Sequence, residues 1–251
     1  MSIPHRTVGH GPKTVFLLHG WFGSADGWGS FPDYLDPEAA TWVFTDNRGY
    51  GARMGEAGDY TLAEVAADVL ALADELGAEK FWLVGHSMGG AEVLKVLATA
   101  PDRVEGIVAL TPVGALPTPL DEAGSDLFYG APDDPGKRFG IIDFTTGNRL
   151  TPVWVKSVAD WSLAHSTVEG FRGAVVAWAN ADFLADVEGK PTPMLVIAGE
   201  HDPALGLETC NQVWAPYFPN VTIEVMPNAG HYPMFETPVA LATRINAFVA
   251  G

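Results

Sequence analysis

Cysteine is almost missing from this chain. Cys210 is the single one in 251 residues, so an intrachain disulfide is excluded. No thiol motif surrounds it, and it reads as a small buried apolar residue rather than a nucleophile. Basic residues are also scarce: 14 Lys and Arg stand against 31 Asp and Glu, a formal charge of −17. Such a surface repels phosphate backbones and anionic membranes, so neither nucleic acid nor membrane is expected as a partner. No stretch approaches the roughly 18 apolar residues of a membrane span. The first residues, MSIPHR, lack the apolar segment of a signal peptide. These features together place the expected protein in the cytoplasm. No G-x-G-x-x-G follows a strand-like run, and no His, Cys, Asp or Glu cluster has metal-ligand spacing, so no cofactor and no metal are expected. Nothing in the sequence sets an oligomeric state.

What is present is apolar residue in quantity. At 47% hydrophobic the chain can bury a substantial core, as one large domain or two small ones. Continuous apolar runs at 14–18 and 41–45 suit strands buried on both faces, and further strands are read at 81–84, 104–110, 194–198 and 221–225. Helical patterns lie between them. Thr61-Leu62-Ala63-Glu64 is a capping box, followed by a stripe of Leu62, Val65, Val69, Leu72 and Leu76 and a stop at Gly77. Further helices are expected over 90–100, 205–217 and 238–250. Alternating strands and helices predict a mostly parallel sheet covered on both faces. The stretch 114–189 breaks the alternation: it is rich in Gly, Pro and Asp with scattered aromatics, and has helix-like pieces near 153–165 and 168–184. It reads as a lid inserted into a core made of 1–113 and 190–251.

In open parallel sheets the ligand crevice lies at the carboxyl ends of the strands. Four strands end in informative chemistry: HGWFG at 19–23, GHSMG at 85–89, GEHD at 199–202 and NAGH at 228–231. Gly85-His86-Ser87-Met88-Gly89 is the sharpest of these. Strand, G-x-S-x-G, helix is the setting that holds a serine on a tight turn with its hydroxyl exposed. Alone the pentapeptide is weak evidence in a chain with 28 glycines. A serine, an acid and a histidine in that order, each just past a strand, meet the needs of an activated nucleophile. Ser87 is the candidate nucleophile and His231 the base. Asp202 is preferred over Glu200 as the acid, because Glu200 points away if the segment is locally extended.

The five pieces HGWFG, DNRGYG at 46–51, GHSMGG, GEHD and AGH, in that order, make the chain resemble the α/β-hydrolases from about Arg6 to Gly251. The resemblance implies an α/β-hydrolase fold with a helical lid before the acid-bearing strand. It also implies a Ser87–Asp202–His231 triad and an oxyanion hole from the backbone N–H groups of Trp21 and Met88. Family members usually carry two strands before the one leading into the HG turn. Too few residues precede Thr14 for both, so the N-terminal strands are expected to be reduced. DNRGYG is similar to a turn that is architectural, and neither Asp46 nor Arg48 is given a catalytic role. His19 is read as holding its turn by hydrogen bonds.

The expected activity is that of a carboxylesterase-type serine hydrolase on a small ester, lactone or thioester, working through an acyl-enzyme. Serine at the elbow argues against the haloalkane dehalogenases and epoxide hydrolases, which use aspartate there. Carbon–carbon hydrolases and cofactor-free perhydrolases use the same triad. HGWFGSADGW (19–28) and GHSMGGAEV (85–93) also resemble the perhydrolase branch, but Phe22 stands where that branch often has proline, which favours plain ester hydrolysis. A small-molecule receptor on a hydrolase scaffold is the rival of another class. Phe22, Trp154, Trp161 and Trp178 are candidate substrate-binding residues, because ligand sites are mostly apolar with few polar groups. The substrate is expected to be a small, neutral, partly apolar molecule.

Overall fold

The computed structural model describes residues 2–251. Among them seven strands form one sheet in the order β1-β3-β2-β4-β5-β6-β7. The strands are β1 (His5–Val8), β2 (Lys13–Leu18), β3 (Ala40–Thr45), β4 (Phe81–His86), β5 (Val104–Leu110), β6 (Met194–Gly199) and β7 (Val221–Met226). All pairs are parallel except β1, which runs antiparallel to β3 with His5 opposite Thr45. One four-residue strand therefore precedes β2. Among the described residues the sheet's edge before β2 is thus one short antiparallel strand.

Continuous apolar runs become central strands because both faces are covered. Val15 and Leu17 pack into one core and Phe16 and Leu18 into the other, on opposite sides of the sheet. Helices α1 (Leu62–Glu75), α2 (Met88–Thr99), α7 (Leu207–Val213), α8 (Pro233–Glu236) and α9 (Pro238–Ala250) join or follow the strands. Thr61 caps α1 by accepting from the Glu64 N–H, but the Glu64 carboxylate reaches past Thr61 to the N–H groups of Tyr60 and Asp59. Leu76, the last member of the predicted stripe, is the C-cap and is exposed.

Between β5 and β6 run α3 (Glu122–Gly130), α4 (Pro135–Thr145), α5 (Pro152–Ala164) and α6 (Val168–Ala179). The sequence pattern marked α5 and α6 but not α3 and α4. Each of the four starts with a side-chain cap, from Asp121, Asp134, Thr151 and Thr167 respectively. These helices pack on the loops at the carboxyl end of the sheet. Phe171 of α6 stacks on Trp21 with ring centroids 4.2 Å apart, and its other face carries the Arg138 guanidinium at 3.6 Å. Arg138 is buried and donates to Ala131 O, Pro132 O, Ser162 Oγ and Ser166 Oγ, tying α4 to α5.

Candidate active site

Ser87 sits between β4 and α2 with φ 53° and ψ −113°, a left-handed conformation that a side-chain-bearing residue adopts only under constraint. The constraint is visible. Ser87 N–H donates to Leu110 O of β5, and the N–H groups of Gly90 and Val113 both donate to Ser87 O. A Cβ on Gly85 would lie 2.2 Å from Gly89 O, so the turn closes only with glycine there. Ser87 is the N-cap of α2, yet its side chain makes no capping bond. Ser87 is half-buried.

Asp202 follows β6 and His231 follows β7. His231 Nδ1 lies 2.6 Å from Asp202 Oδ2, with the carboxylate wholly buried. Asp202 Oδ1 accepts from the N–H groups of Ala204 and Leu205, so both carboxylate oxygens are occupied and the group is fixed. With Nδ1–H donated to Asp202, the His231 Nε2 lone pair is left for a proton. Glu200 accepts from Asn228 N–H instead and braces the loop before His231.

His86 stands beside Ser87 at the end of β4. Its Nε2 donates to the His231 carbonyl at 2.8 Å, and Thr111 Oγ donates to the same oxygen at 3.0 Å. Two buried side chains from the ends of β4 and β5 therefore anchor the backbone of His231 beside the elbow. Burial pushes the His86 imidazole well below its ordinary pKa, with repulsion from His231 adding to the effect, so it is neutral and keeps a lone pair on Nδ1.

His19 Nδ1 bonds Gly20 O at 2.8 Å, and Asn47 N–H donates to His19 Nε2 at 3.3 Å. This pair of bonds sets the tautomer: Nδ1 carries the proton. Burial lowers the pKa of His19 and keeps it neutral. The Gly20 carbonyl, which also accepts from Gly23 N–H at 2.8 Å, belongs to the same peptide plane as the Trp21 N–H, so His19 and Gly23 together orient that N–H. Among the described residues neither the Trp21 N–H nor the Met88 N–H donates to a protein acceptor. The Met88 N–H is one of the unpaired donors at the start of α2.

Behind this site lies a residue the sequence pattern missed. Glu92 of α2 is buried; its Oε1 accepts from Asn47 Nδ2 at 2.6 Å, while Oε2 has no partner among the described residues. Burial pushes its carboxyl up to about 8. The signal in sequence is an acid in the first half of a mostly apolar helix, and its partner lies 45 residues away. Cys210 is also buried, which pushes its thiol up to about 12 and leaves it inert.

A cavity of about 230 Å³ opens beside the elbow, between the 19–29 loop, α5 and the 232–235 segment. Phe22 and Trp161 line it; Trp154 and Trp178 do not. Trp154 packs edge-on against Tyr232 and Phe235. Trp178 is buried against Trp21 and Phe128, because the Trp21 side chain turns away from the cavity to donate to Phe171 O. The cavity is walled by His86 and Tyr232, the chain neighbours of Ser87 and His231, rather than by the Ser87 side chain itself. No helix among the described residues is long and apolar enough to cross a membrane.

A sequence model of the α/β hydrolase fold matches residues 13–238. The chain belongs to the α/β-hydrolase family. Among α/β-hydrolase relatives, it is 27% identical to a pimeloyl-[acyl-carrier protein] methyl ester esterase of Serratia marcescens, over 98% of this chain and 97% of that one. It is 27% identical to a putative non-heme chloroperoxidase of Synechocystis, over 92% of this chain and 88% of that one. It also matches a dihydrolipoyllysine-residue acetyltransferase component of an acetoin cleaving system from Cupriavidus necator, with 28% identity over 94% of this chain, but spans only 63% of that protein. In fold it is similar to the esterase from Exiguobacterium antarcticum, with a TM-score of 0.86, 18% identity and coverage of 98% of this chain and 95% of that one. Relatives named as esterases and hydrolases support an enzyme of hydrolase type acting on a small molecule.

Proposed function

We propose that this α/β-hydrolase is a serine esterase acting on a small carboxylic ester through an acyl-enzyme. The observation that carries the reading is the buried Asp202–His231 pair, anchored through His86 and Thr111 to the turn that presents a free Ser87 hydroxyl. Ser87 Oγ attacks the ester carbonyl as His231 Nε2 takes its proton. Asp202 holds the imidazole tautomer and stabilises the imidazolium. The oxyanion binds the N–H groups of Trp21 and Met88, a contribution of about 3–4 kcal/mol per donor where such donors have been removed. The carbon–oxygen bond to the alcohol breaks, and His231 passes its proton to the departing alcohol. Water then attacks the acyl-serine with His231 again as base, releasing the acid and restoring Ser87. Every atom and proton is accounted for without a cofactor.

The helices over residues 114–189 act as a lid in this reading, covering a core made of 1–113 and 190–251. Ser87→Ala is expected to lower kcat on a p-nitrophenyl ester by roughly 10⁶. Unchanged turnover in that variant defeats the proposal. A perhydrolase reading draws on the similarity to a protein named as a chloroperoxidase. Halide oxidation by peroxide and acetate, faster than ester hydrolysis, would favour it. Rapid multiple turnover on short esters speaks against a receptor.

A further inference from the structure

The cavity beside the elbow has a side, a size and a charge. Its far wall is built by Tyr232, Met234 and Phe235, which follow His231 directly in the chain. Gly20 and His86 form another wall, and Gly20 packs against Ser87, a Cβ on it lying 3.3 Å from Ser87 Cβ, so the cavity stands one residue away from the proposed nucleophile. It thus opens on the histidine side of Ser87. The departing oxygen of an ester must lie on that side, because His231 protonates it. We infer that this cavity seats the alcohol portion of the substrate, and that this portion is neutral, carries a single ring and has roughly ten non-hydrogen atoms. The assignment rests on the esterase reading and names the substrate class of that same site.

Size follows from volume. A cavity of about 150 Å³ holds benzene. At about 230 Å³ this one is half as large again, room for a ring with a two-carbon arm. Shape follows from the walls: Phe22, Trp28, Trp161 and Phe235 are flat rings that pack best against another ring. Charge follows from what the walls contain. No lysine or arginine lines the cavity, and its one carboxylate, Asp26, is exposed at the rim near Arg6. His19 and His86 are both neutral for the reasons given above. An anionic alcohol would be buried without a partner there.

The test holds the acyl group constant and varies the alcohol: ethyl, 2-phenylethyl and 9-anthracenylmethyl acetate. The expected kcat/KM for the 2-phenylethyl ester exceeds that for the ethyl ester by on the order of 10- to 100-fold, with the three-ring ester falling back to the ethyl level or below. Val158→Phe, which fills the cavity from α5, should reduce the 2-phenylethyl to ethyl ratio to near parity. Met234→Trp should do the same from α8, so that misfolding of one variant leaves the other decisive. A wild-type ratio below about 3, or a ratio unmoved by both variants, overturns the inference. So does a ring preference seen only in the acyl half, as ethyl phenylacetate over ethyl acetate. Trp28 and Trp161 give a readout free of turnover: 2-phenylethanol should change tryptophan fluorescence saturably in wild type and not in Val158→Phe. If no ester shows Ser87-dependent hydrolysis while that binding persists, the esterase reading fails and the ring pocket stands. If the binding is also absent, both fall.

Discussion

Replacing Glu92 by glutamine should stabilise the protein, and should do so only where pH allows glutamate to ionise. Glu92 is buried with one carboxylate oxygen unpartnered, and burial pushes its pKa from 4.5 to about 8. Between those values the unfolded chain releases the proton while the folded chain keeps it. The folded state is the one that binds more protons, so stability falls as pH rises from about 4.5 and the loss is complete above about 8. At about 1.4 kcal/mol per pKa unit, a shift of this size corresponds to a loss of about 5 kcal/mol. Glutamine keeps an acceptor for Asn47 Nδ2 and never ionises, so it escapes the loss. Local opening that lets water reach the carboxylate lowers the ceiling. For a chain of this length about 2–4 °C accompanies each kcal/mol. The expected outcome is a Tm for Glu92→Gln about 5–15 °C above wild type at pH 8, shrinking to nothing near pH 4. Thermal melts followed by circular dichroism across pH 4–9 give the difference directly. Curves for the two proteins that stay parallel over that range would refute the reasoning.

Three further outcomes follow from the site. Asp202→Asn should lower kcat by roughly 10⁴ with little change in Tm, since it leaves the geometry but unsettles the His231 tautomer; esterase assays beside melts check this, and a loss below tenfold would contradict it. His19→Ala removes one of the two bonds that hold the Gly20 carbonyl, the other coming from Gly23 N–H, and should cost up to about 10²- to 10³-fold in kcat with KM nearly unchanged, the scale of one oxyanion donor. A rise in KM at constant kcat would show instead that His19 only shapes the cavity. Gly85→Ala drives a methyl to 2.2 Å from the Gly89 carbonyl, where backbone must move, and should depress Tm and activity together; a fully active, equally stable variant would show that the elbow tolerates a wider turn.

The strand framework, and which residues stand at its carboxyl ends, were legible because both are local. A run such as Phe16–Leu18 has no polar face, which only a doubly covered strand accommodates, and the residues after it are where a parallel sheet places ligands. Helices α3 and α4 were not legible, because glycines at 124, 130, 136 and 140 blur their periodicity. Their caps, Asp121 and Asp134, were the signal available. Which aromatics face the cavity was beyond the sequence for a different reason. Trp161 and Trp178 differ only in the neighbours that tertiary packing brings to them: one lines the cavity and the other is shut against Trp21. The role of His86 depends on a bond to a carbonyl 145 residues away.

The bond from Trp21 Nε1 to Phe171 O, with Arg138 on the far face of that ring, has a mechanical consequence. Helices α4, α5 and α6 are riveted through it to Trp21, the residue whose N–H is the proposed oxyanion donor. Lifting them as one flap would pull that donor out of place at every turnover. In the esterase reading, passage of alcohol and acid then falls to the cavity edge, where Trp161 donates to Ser24 Oγ at 3.3 Å and lies against Gly27. The molecule is better pictured as a fixed vault with a small hatch than as a jaw.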